Sequence, residues 1–340
     1  MQQVLAHDLG VTLGGPDRAA PRQRLGYRLM DIFLHVGAHR TATTSFQHYL
    51  QANAGLIEAL GIRVWGPSQA RNGLFSGIFP KFRSAPNPIS VKRACGRVSL
   101  QLENLSYAGT SKLLISEENM IGSARHCVRN AMLYPAIGER MARFDEIFGH
   151  RLKRVMLTLR APDMWWSSAI AYTVSRGHTV PDQAALASIA ASPRSWRDVI
   201  TDLACALPDT EIQVSTFEEY AGRPDALFAR ITDEPAPPNT QTFWRNRTPD
   251  LTALRKLLAE YGKPQNALPL TTCGRWQPFN DAQTHAMRET YADDLFWLAA
   301  GADGLATLTV DPTRKRAGAS QPPGELKKGH NNDSRQRKMA

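Results

Sequence analysis

Four short apolar runs are spaced along the chain, and between them apolar residues recur every three or four positions. Each run is rich in Ile, Leu and Val, which is typical of a buried β-strand. The runs are DIFLHV at 31–36, KLLISE at 112–117, RVMLTLR at 154–160 and EIQVSTFE at 211–218. We therefore predict four buried strands separated by helices.

The helical patterns decide the fold class. In the stretch SFQHYLQAN, Tyr49 and Leu50 lie three and four positions after Phe46, so all three share one helix face. Predicted helices lie at 45–53, 162–177, 195–209 and 281–302. Strands that alternate with helices imply an α/β fold, with a mainly parallel sheet flanked by helices on both faces.

Two stretches depart from this alternation. Segment 66–110 is rich in Gly, Pro, Ser and Arg, and we predict a long irregular excursion with room for one helix. Its cations are interleaved with aromatic residues, which suits a bound sugar chain and equally suits a solvated surface. Segment 233–250 is predicted to be a Pro-rich loop.

Composition divides the chain into three parts. Residues 1–30 are predicted to be a disordered leader, 31–311 one α/β domain, and 312–340 a basic disordered tail. The formal net charge of +10 lies largely at the ends: from residue 311 onward there are eight Lys/Arg against three Asp/Glu. A specific nucleic-acid-binding body is therefore not expected, and nucleic-acid binding would depend on the tail alone.

Cysteine usage and hydropathy indicate the compartment. The four cysteines form no CxxC pair or Cys/His cluster, which argues against a zinc site and against a disulfide framework. No run of about 18 apolar residues is present, so no membrane span is expected. The first residues do not read as a signal peptide. We predict a cytoplasmic protein.

The first strand runs into a polar loop that contains no carboxylate. Its sequence GAHRTATT (37–44) has the outline of the phosphate-binding loop G-x-x-x-x-G-K-[ST]. Ala42 stands at the second Gly position and Thr43 at the Lys position, which argues against an ordinary ATPase or kinase. A helix start after a strand still favours an anion. One cation and four hydroxyls are available to hold it: Arg40, Thr41, Thr43, Thr44 and Ser45. Alternatively, the hydroxyls only cap the helix.

The stretch HVGAHRTATTSFQ resembles the 5′-phosphosulfate-binding loop of sulfotransferases that use 3′-phosphoadenosine 5′-phosphosulfate (PAPS), and most closely their bacterial branch. In that family the loop has the form K-[ST]-G-T-T. Arg40 replaces the usual Lys, and Ala42 replaces the usual Gly, which is tolerable only if the φ angle of Ala42 is negative. The resemblance covers residues 31–302 and implies a P-loop NTPase-like three-layer architecture. It also implies cofactor binding by Arg40, Thr41, Ala42, Thr43, Thr44 and Ser45.

The same family binds the 3′-phosphate of PAPS with an Arg at a strand end and a Ser eight residues later. Here Arg160 ends the third predicted strand, and Ser168 follows eight residues on in the next helix. A guanidinium can donate two hydrogen bonds to a phosphate, and the hydroxyl adds a third donor. The alternative is a surface ion pair between Arg160 and Asp163. By resemblance, Arg247 or Arg245 lies in a loop over the nucleotide.

Sulfuryl transfer also needs a base for the proton of the acceptor. Similar bacterial proteins carry Ser-x-Glu after a strand, which matches Ser116 and Glu118. We expect the pKa of a strand-end carboxylate here to be raised, as suits a general base. Glu117 and His39 are rivals for this role, although the two carboxylates could instead cap the next helix. His35 alternates within a strand and is predicted to be a core residue.

These assignments predict an enzyme that moves a sulfuryl group from PAPS to an acceptor hydroxyl by direct in-line displacement, with no metal. Arg40 is predicted to stabilise charge on the leaving phosphate. The acceptor is expected to be a small molecule or a glycan, with a carbohydrate as one candidate. Two alternatives stay open: a non-catalytic relative that binds a nucleotide or glycan, and a divergent P-loop kinase.

Overall fold

The computed structural model describes residues 30–79, 87–240, 247–269 and 274–311. Its strands are β1 Asp31–His35, β2 Ile62–Trp65, β3 Lys112–Ser116, β4 Leu152–Leu159, β5 Glu211–Thr216 and β6 Thr307–Leu308. They form one six-stranded sheet in the order β2-β3-β1-β4-β5-β6, and every neighbouring pair is parallel. The predicted α/β class and parallel sheet are confirmed.

Helices make up most of the remaining described chain. They are α1 Thr43–Ala52, α2 Ala54–Ala59, α3 Pro67–Gln69, α4 Pro88–Tyr107, α5 Ala124–Asn130, α6 Ile137–Ile147, α7 Pro162–Val174, α8 Gln183–Ala190, α9 Trp196–Ala206, α10 Phe217–Tyr220, α11 Pro224–Thr232, α12 Leu251–Glu260 and α13 Asp281–Ala299. Short 3₁₀ turns and one π-helical turn, Ala70–Leu74, connect some of them.

The sheet lies between two hydrophobic layers, because successive strand side chains point to opposite faces. Ile32 and Leu34 of β1 belong to the larger cluster, whereas Phe33 belongs to the smaller one. Residues of α4 to α9, α12 and α13 complete the larger cluster, and residues of α1, α2 and α11 complete the smaller one. Helices therefore cover both faces, as predicted.

Segment 66–110 differs most from its prediction. It is largely helical, because α4 spans 20 residues after a short helix and the π-helical turn. The side chain of Asn87 starts α4 by accepting hydrogen bonds from the N–H groups of Ile89 and Ser90. Strands β2 and β6 were not predicted, since four and two residues carry too little pattern to recognise.

The predicted leader and tail fall almost wholly outside the described residues. The exception is Met30, which was assigned to the leader but is buried in the larger cluster. No helix in the described ranges is long and apolar enough to cross a membrane.

Strand order places a crevice at one edge of the sheet. Strand β1 lies between β3 and β4, so the chain crosses from one side of β1 to the other when it passes from β3 to β4. In parallel sheets, ligands bind outside the carboxyl ends of the strands at such a reversal. The loops after β1 and β4 meet there.

His35, at the end of β1, is a core residue as predicted. Its side chain is 1% exposed, and Nδ1 lies 2.9 Å from the Ser116 hydroxyl on β3. Burial lowers the pKa of His35 to about 4, although the charge of Glu118 acts in the opposite direction. His35 is therefore neutral in the folded protein near neutral pH.

We predict that this histidine makes the fold acid-sensitive. The unfolded chain takes up a proton at His35 near the ordinary value of about 6.5, whereas the folded chain does not until about 4. Stability should therefore fall as the pH drops from 7 towards 4, with about 3 kcal/mol from this group. Denaturant titrations should show a shallower pH dependence for His35→Asn than for the wild type. Ser116→Ala, which keeps the imidazole, is the control. An unchanged slope in His35→Asn would refute the prediction.

Candidate functional site

The loop after β1 is tied to the neighbouring strand by its backbone. The N–H of Val36 donates to the carbonyl oxygen of Met156, and the N–H of Ala38 donates to that of Thr158, both at 3.0 Å. Gly37 lies between these two bonds. A Cβ added there would lie 3.0 Å from the Nε2 atom of His35. The backbone bonds therefore fix the path of the loop, and a side chain at position 37 would crowd His35.

Two residues of this loop have left-handed backbone conformations. The φ angles of Arg40 and Ala42 are 69° and 65°. A negative φ, the condition under which alanine would be tolerated at position 42, is therefore not met. Glycine adopts this region without steric cost, whereas each L-residue with a side chain is destabilised there by about 1–2 kcal/mol. The loop keeps the path that suits glycine although the glycine is absent.

The side chains after this turn point donors at the crevice. Ala42 is the N-cap of α1 and makes no side-chain cap, and the first turn of the helix contains no acidic residue. The hydroxyl Oγ1 of Thr43 is buried and has no hydrogen-bond partner in the described part of the chain. Thr44 and Ser45 also line the cleft described below. The alternative that the Thr43 hydroxyl merely caps the helix has no support in these contacts.

A cleft of about 550 Å³ opens beside this helix start. Among its described lining residues one carboxylate, that of Glu118, faces six arginines. These are Arg40, Arg71, Arg160, Arg176, Arg247 and Arg275. Such an excess of guanidinium groups raises the local concentration of anions and suits a ligand with several negative charges.

Arg40 lies at the centre of the cleft. Its Nε donates to the Ser168 hydroxyl at 3.0 Å, and its Nη2 donates to the Thr248 hydroxyl at 3.2 Å. The two hydroxyls are themselves 2.7 Å apart, and the guanidinium lies 5.3 Å from the ring centre of Tyr172. Ser168 thus contacts Arg40, whereas the resemblance had paired it with Arg160.

Arg160 is a buried cation with an unsatisfied donor. It is 6% exposed, and its Nη1 donates to the carbonyl oxygen of Arg40 at 3.0 Å. Its Nε has no hydrogen-bond partner among the residues that the structure describes. Burial, with the nearby charge of Arg275, lowers its pKa to about 10, so it remains charged at neutral pH. The alternative pairing with Asp163 is wrong, because that carboxylate binds Arg288 at 2.9 Å.

The candidate carboxylates have different environments. Glu117 is buried and accepts two hydrogen bonds of 2.8 Å from Arg71, so it is held in an ion pair. Glu118 faces the cleft and accepts hydrogen bonds from Gln47 and from Arg71, each at 3.1 Å. Burial alone would raise the pKa of Glu118, but a backbone N–H, His39, Gln47 and Arg71 together hold it below its ordinary value. The expected raised pKa is therefore wrong, and Glu118 is ionised.

His39 has both ring nitrogens occupied. The Tyr134 hydroxyl accepts from the backbone N–H of His39 at 2.7 Å and lies 2.9 Å from its Nδ1. The Nε2 atom lies 3.2 Å from the amide oxygen of Asn119, whose Nδ2 donates to Glu117. A neutral ring with its proton on Nε2 satisfies every one of these contacts. Burial lowers the pKa of His39, which fits this neutral state and makes it a poor base candidate.

A second cavity of about 310 Å³ lies on the other side of the loop. It shares Ala42, Ser45 and Phe217 with the cleft, and no charged residue is among its described lining residues. The ring of Phe217 lies 4.4 Å from the guanidinium of Arg160. The site therefore joins a cationic part to a neutral, partly aromatic part.

Several site residues carried no recognisable signal in the sequence. Arg176 lies just beyond α7, and Thr248 and Arg275 come from two separate loops. Only tertiary structure brings them to the cleft. Arg247 lines the cleft, whereas Arg245 lies outside the described residues. No group of three or more potential metal-ligating side chains occurs among the described residues.

Comparisons with known proteins found no match for this chain: no family model, no curated protein and no solved structure is similar to it.

We predict that Ala42→Gly stabilises the protein by about 1 kcal/mol, because it removes a left-handed alanine. The matched control is Ala52→Gly in the same helix, at an exposed α-helical position. That change should destabilise the protein by about 0.5–1 kcal/mol. Thermal and denaturant unfolding measure both variants. Equal destabilisation by the two substitutions would show that the backbone of Ala42 is unstrained.

Proposed function

We propose that the protein is a sulfotransferase that binds PAPS in the cleft and transfers its sulfuryl group to an acceptor hydroxyl. The observation that carries this proposal is the pair of unpartnered donors at the ends of two adjacent strands. Arg160 Nε follows β4 and Thr43 Oγ1 follows β1, and both are buried. A buried donor without a partner is costly, and a bound anion satisfies it.

Two separated anionic groups on one ligand fit the shape of the site. The loop after β1 and the start of α1 offer backbone amides, hydroxyls and Arg40 to one of them. Arg160, with Arg275 nearby, offers guanidinium groups to the other. The neutral cavity beside Phe217 suits an uncharged ring system of the same ligand. A site with two cationic parts and one neutral part favours a 3′-phosphorylated adenine nucleotide over a simple anion. The proposal includes a P-loop NTPase-like fold.

The residues of the cleft supply the groups that the reaction needs. Arg40 stabilises negative charge on the leaving bisphosphate when the sulfur–oxygen bond of the donor breaks. Glu118 is ionised and faces the cleft, so it accepts the hydroxyl proton as the acceptor oxygen bonds to sulfur. Because its pKa is lowered, it is a weaker base than expected but is available over a wide pH range. His39 lines the cleft without taking part in proton transfer, because both of its ring nitrogens have hydrogen-bond partners.

A second candidate is a binding protein without transfer activity. It is favoured by one observation: Arg40 already donates to Ser168 and Thr248, and so must move its hydrogen bonds to reach a leaving group. Tight bisphosphate binding, with no transfer across a broad panel of hydroxyl acceptors, would favour this candidate.

We predict that Arg160→Ala weakens the binding of adenosine 3′,5′-bisphosphate by roughly 100-fold, since it removes two charge-assisted hydrogen bonds. Isothermal titration calorimetry measures this. Arg160→Lys should also bind weakly, because lysine keeps the positive charge but cannot donate two parallel hydrogen bonds to a phosphate. Circular dichroism would verify that each variant is folded.

The matched control is Arg63→Ala. Arg63 forms an exposed ion pair with Glu58 and does not line the cleft, so its loss should leave the affinity unchanged. Binding by folded Arg160→Ala within about threefold of the wild type would remove the main support for the proposed function.

A further inference from the structure

Helix α4 carries large apolar side chains on the face turned away from the domain. It packs on the larger hydrophobic cluster through Ala94, Val98 and Leu102, which are fully buried. Three apolar residues point the other way, and they are Ile89, Leu100 and Tyr107, with exposed fractions of 63%, 57% and 76%. These are among the most exposed apolar side chains in the described part of the chain. None of the three belongs to either hydrophobic cluster of the described residues, so core packing does not account for their apolar character.

The three residues form one line along the helix. Tyr107 follows Ile89 by 18 residues, or about five turns, so both point in the same direction. Leu100 and Gly96 lie on either side of this line. The line faces directly away from Val98, at the centre of the buried face. Here the stripe formed by Ile89, Gly96, Leu100 and Tyr107 is called the outer face of α4.

Gly96 has no internal reason to be glycine. It is exposed in the interior of a 20-residue helix, where glycine is destabilising relative to alanine. A Cβ added there would meet nothing within 4 Å among the described atoms. A missing side chain at this position allows the close approach of another backbone or a large side chain from outside.

The charges beside the outer face favour a second copy of α4 as the partner, with the two helices antiparallel. Lys92 and Arg93 are exposed near the start of α4, and Glu103 is exposed near its end. Suppose that a second α4 packs antiparallel on the outer face, with the two-fold axis at the level of residue 98 along the helix. The end of each helix that carries Lys92 and Arg93 then lies against the other copy's Glu103. A parallel arrangement would place like charges opposite each other, which is unfavourable.

The same two-fold axis also matches the apolar positions. Ile89 falls opposite Tyr107, and Leu100 falls opposite Gly96, so a large side chain enters the space that the glycine leaves. A surface that complements itself in this way is the requirement for an isologous dimer. We propose that the outer face of α4 is a homodimer interface, with the two helices antiparallel. This inference is independent of the proposed function.

The expected affinity is modest. A helix of 20 residues is about 30 Å long, and one pair of such helices forms a small interface. Sedimentation equilibrium of the full chain from about 5 to 200 µM covers the dissociation constants that we expect. The wild type should change from monomer to dimer across this range.

Charge variants test the orientation. Glu103→Lys should weaken the dimer at least tenfold, because it places like charges against Lys92 and Arg93. The triple variant Lys92→Glu/Arg93→Glu/Glu103→Lys reverses these three charges and should restore the dimer. Gly96→Ala should have opposite effects on two measurements, raising the melting temperature of the monomer while weakening the dimer.

The control is Phe296→Glu, which adds a charge at another exposed apolar residue, on α13. It should leave the dimer unchanged, whereas Leu100→Glu should abolish it. Circular dichroism would show that both variants are folded. A wild type that stays monomeric at 200 µM and low salt would overturn the proposal. Equal loss of the dimer in Phe296→Glu and Leu100→Glu would also overturn it.

Discussion

The hydrogen bond from Arg160 to the carbonyl oxygen of Arg40 is the contact on which the site depends. It joins the ends of β4 and β1 and holds the loop at the point where Arg40 and Ala42 adopt left-handed conformations. It also holds the buried guanidinium of Arg160 close enough to the partly buried Arg40 for their like charges to interact, which is electrostatically unfavourable. Burial lowers the pKa of Arg160, and the charges of Arg275 and Arg40 act in the same direction. An anion bound here would reduce this repulsion, and the Nε of Arg160 has no hydrogen-bond partner among the described residues.

The opposite wall of the cleft is held by a different kind of contact. A continuous chain of hydrogen bonds runs from Arg71 through Glu117, Asn119 and His39 to the Tyr134 hydroxyl. Almost every polar group in it has a partner, so it can be rigid at little cost. Two residues that the sequence suggested as the base, Glu117 and His39, are held by hydrogen bonds within this network. Glu118 remains at its edge, ionised and facing the cleft.

The sequence predicted the layers of the fold well because long apolar strands and amphipathic helices carry strong periodic signals. Strands β2 and β6 were missed because they are short edge strands, and α4 was underestimated because its Gly and Ser content resembles a loop. At the site, local patterns identified Arg40, Thr43 and Arg160. The contact of Ser168 with Arg40, and the positions of Thr248 and Arg275, depend on tertiary packing and have no local signature. The positive φ of Ala42 contradicts its intrinsic preference, and it occurs in a loop held by the backbone bonds of Val36 and Ala38 and by the Arg160 side chain.

The most direct measurement is a calorimetric titration of the wild type with adenosine 3′,5′-bisphosphate, run beside ATP with magnesium. The proposed site predicts micromolar binding of the bisphosphate, with ATP bound much more weakly, because the proposal assigns the phosphate at the 3′ position to Arg160 and ATP has none there. A failure to bind the bisphosphate, or a preference for magnesium-ATP, would contradict the assignment of the cleft as a sulfate-donor site.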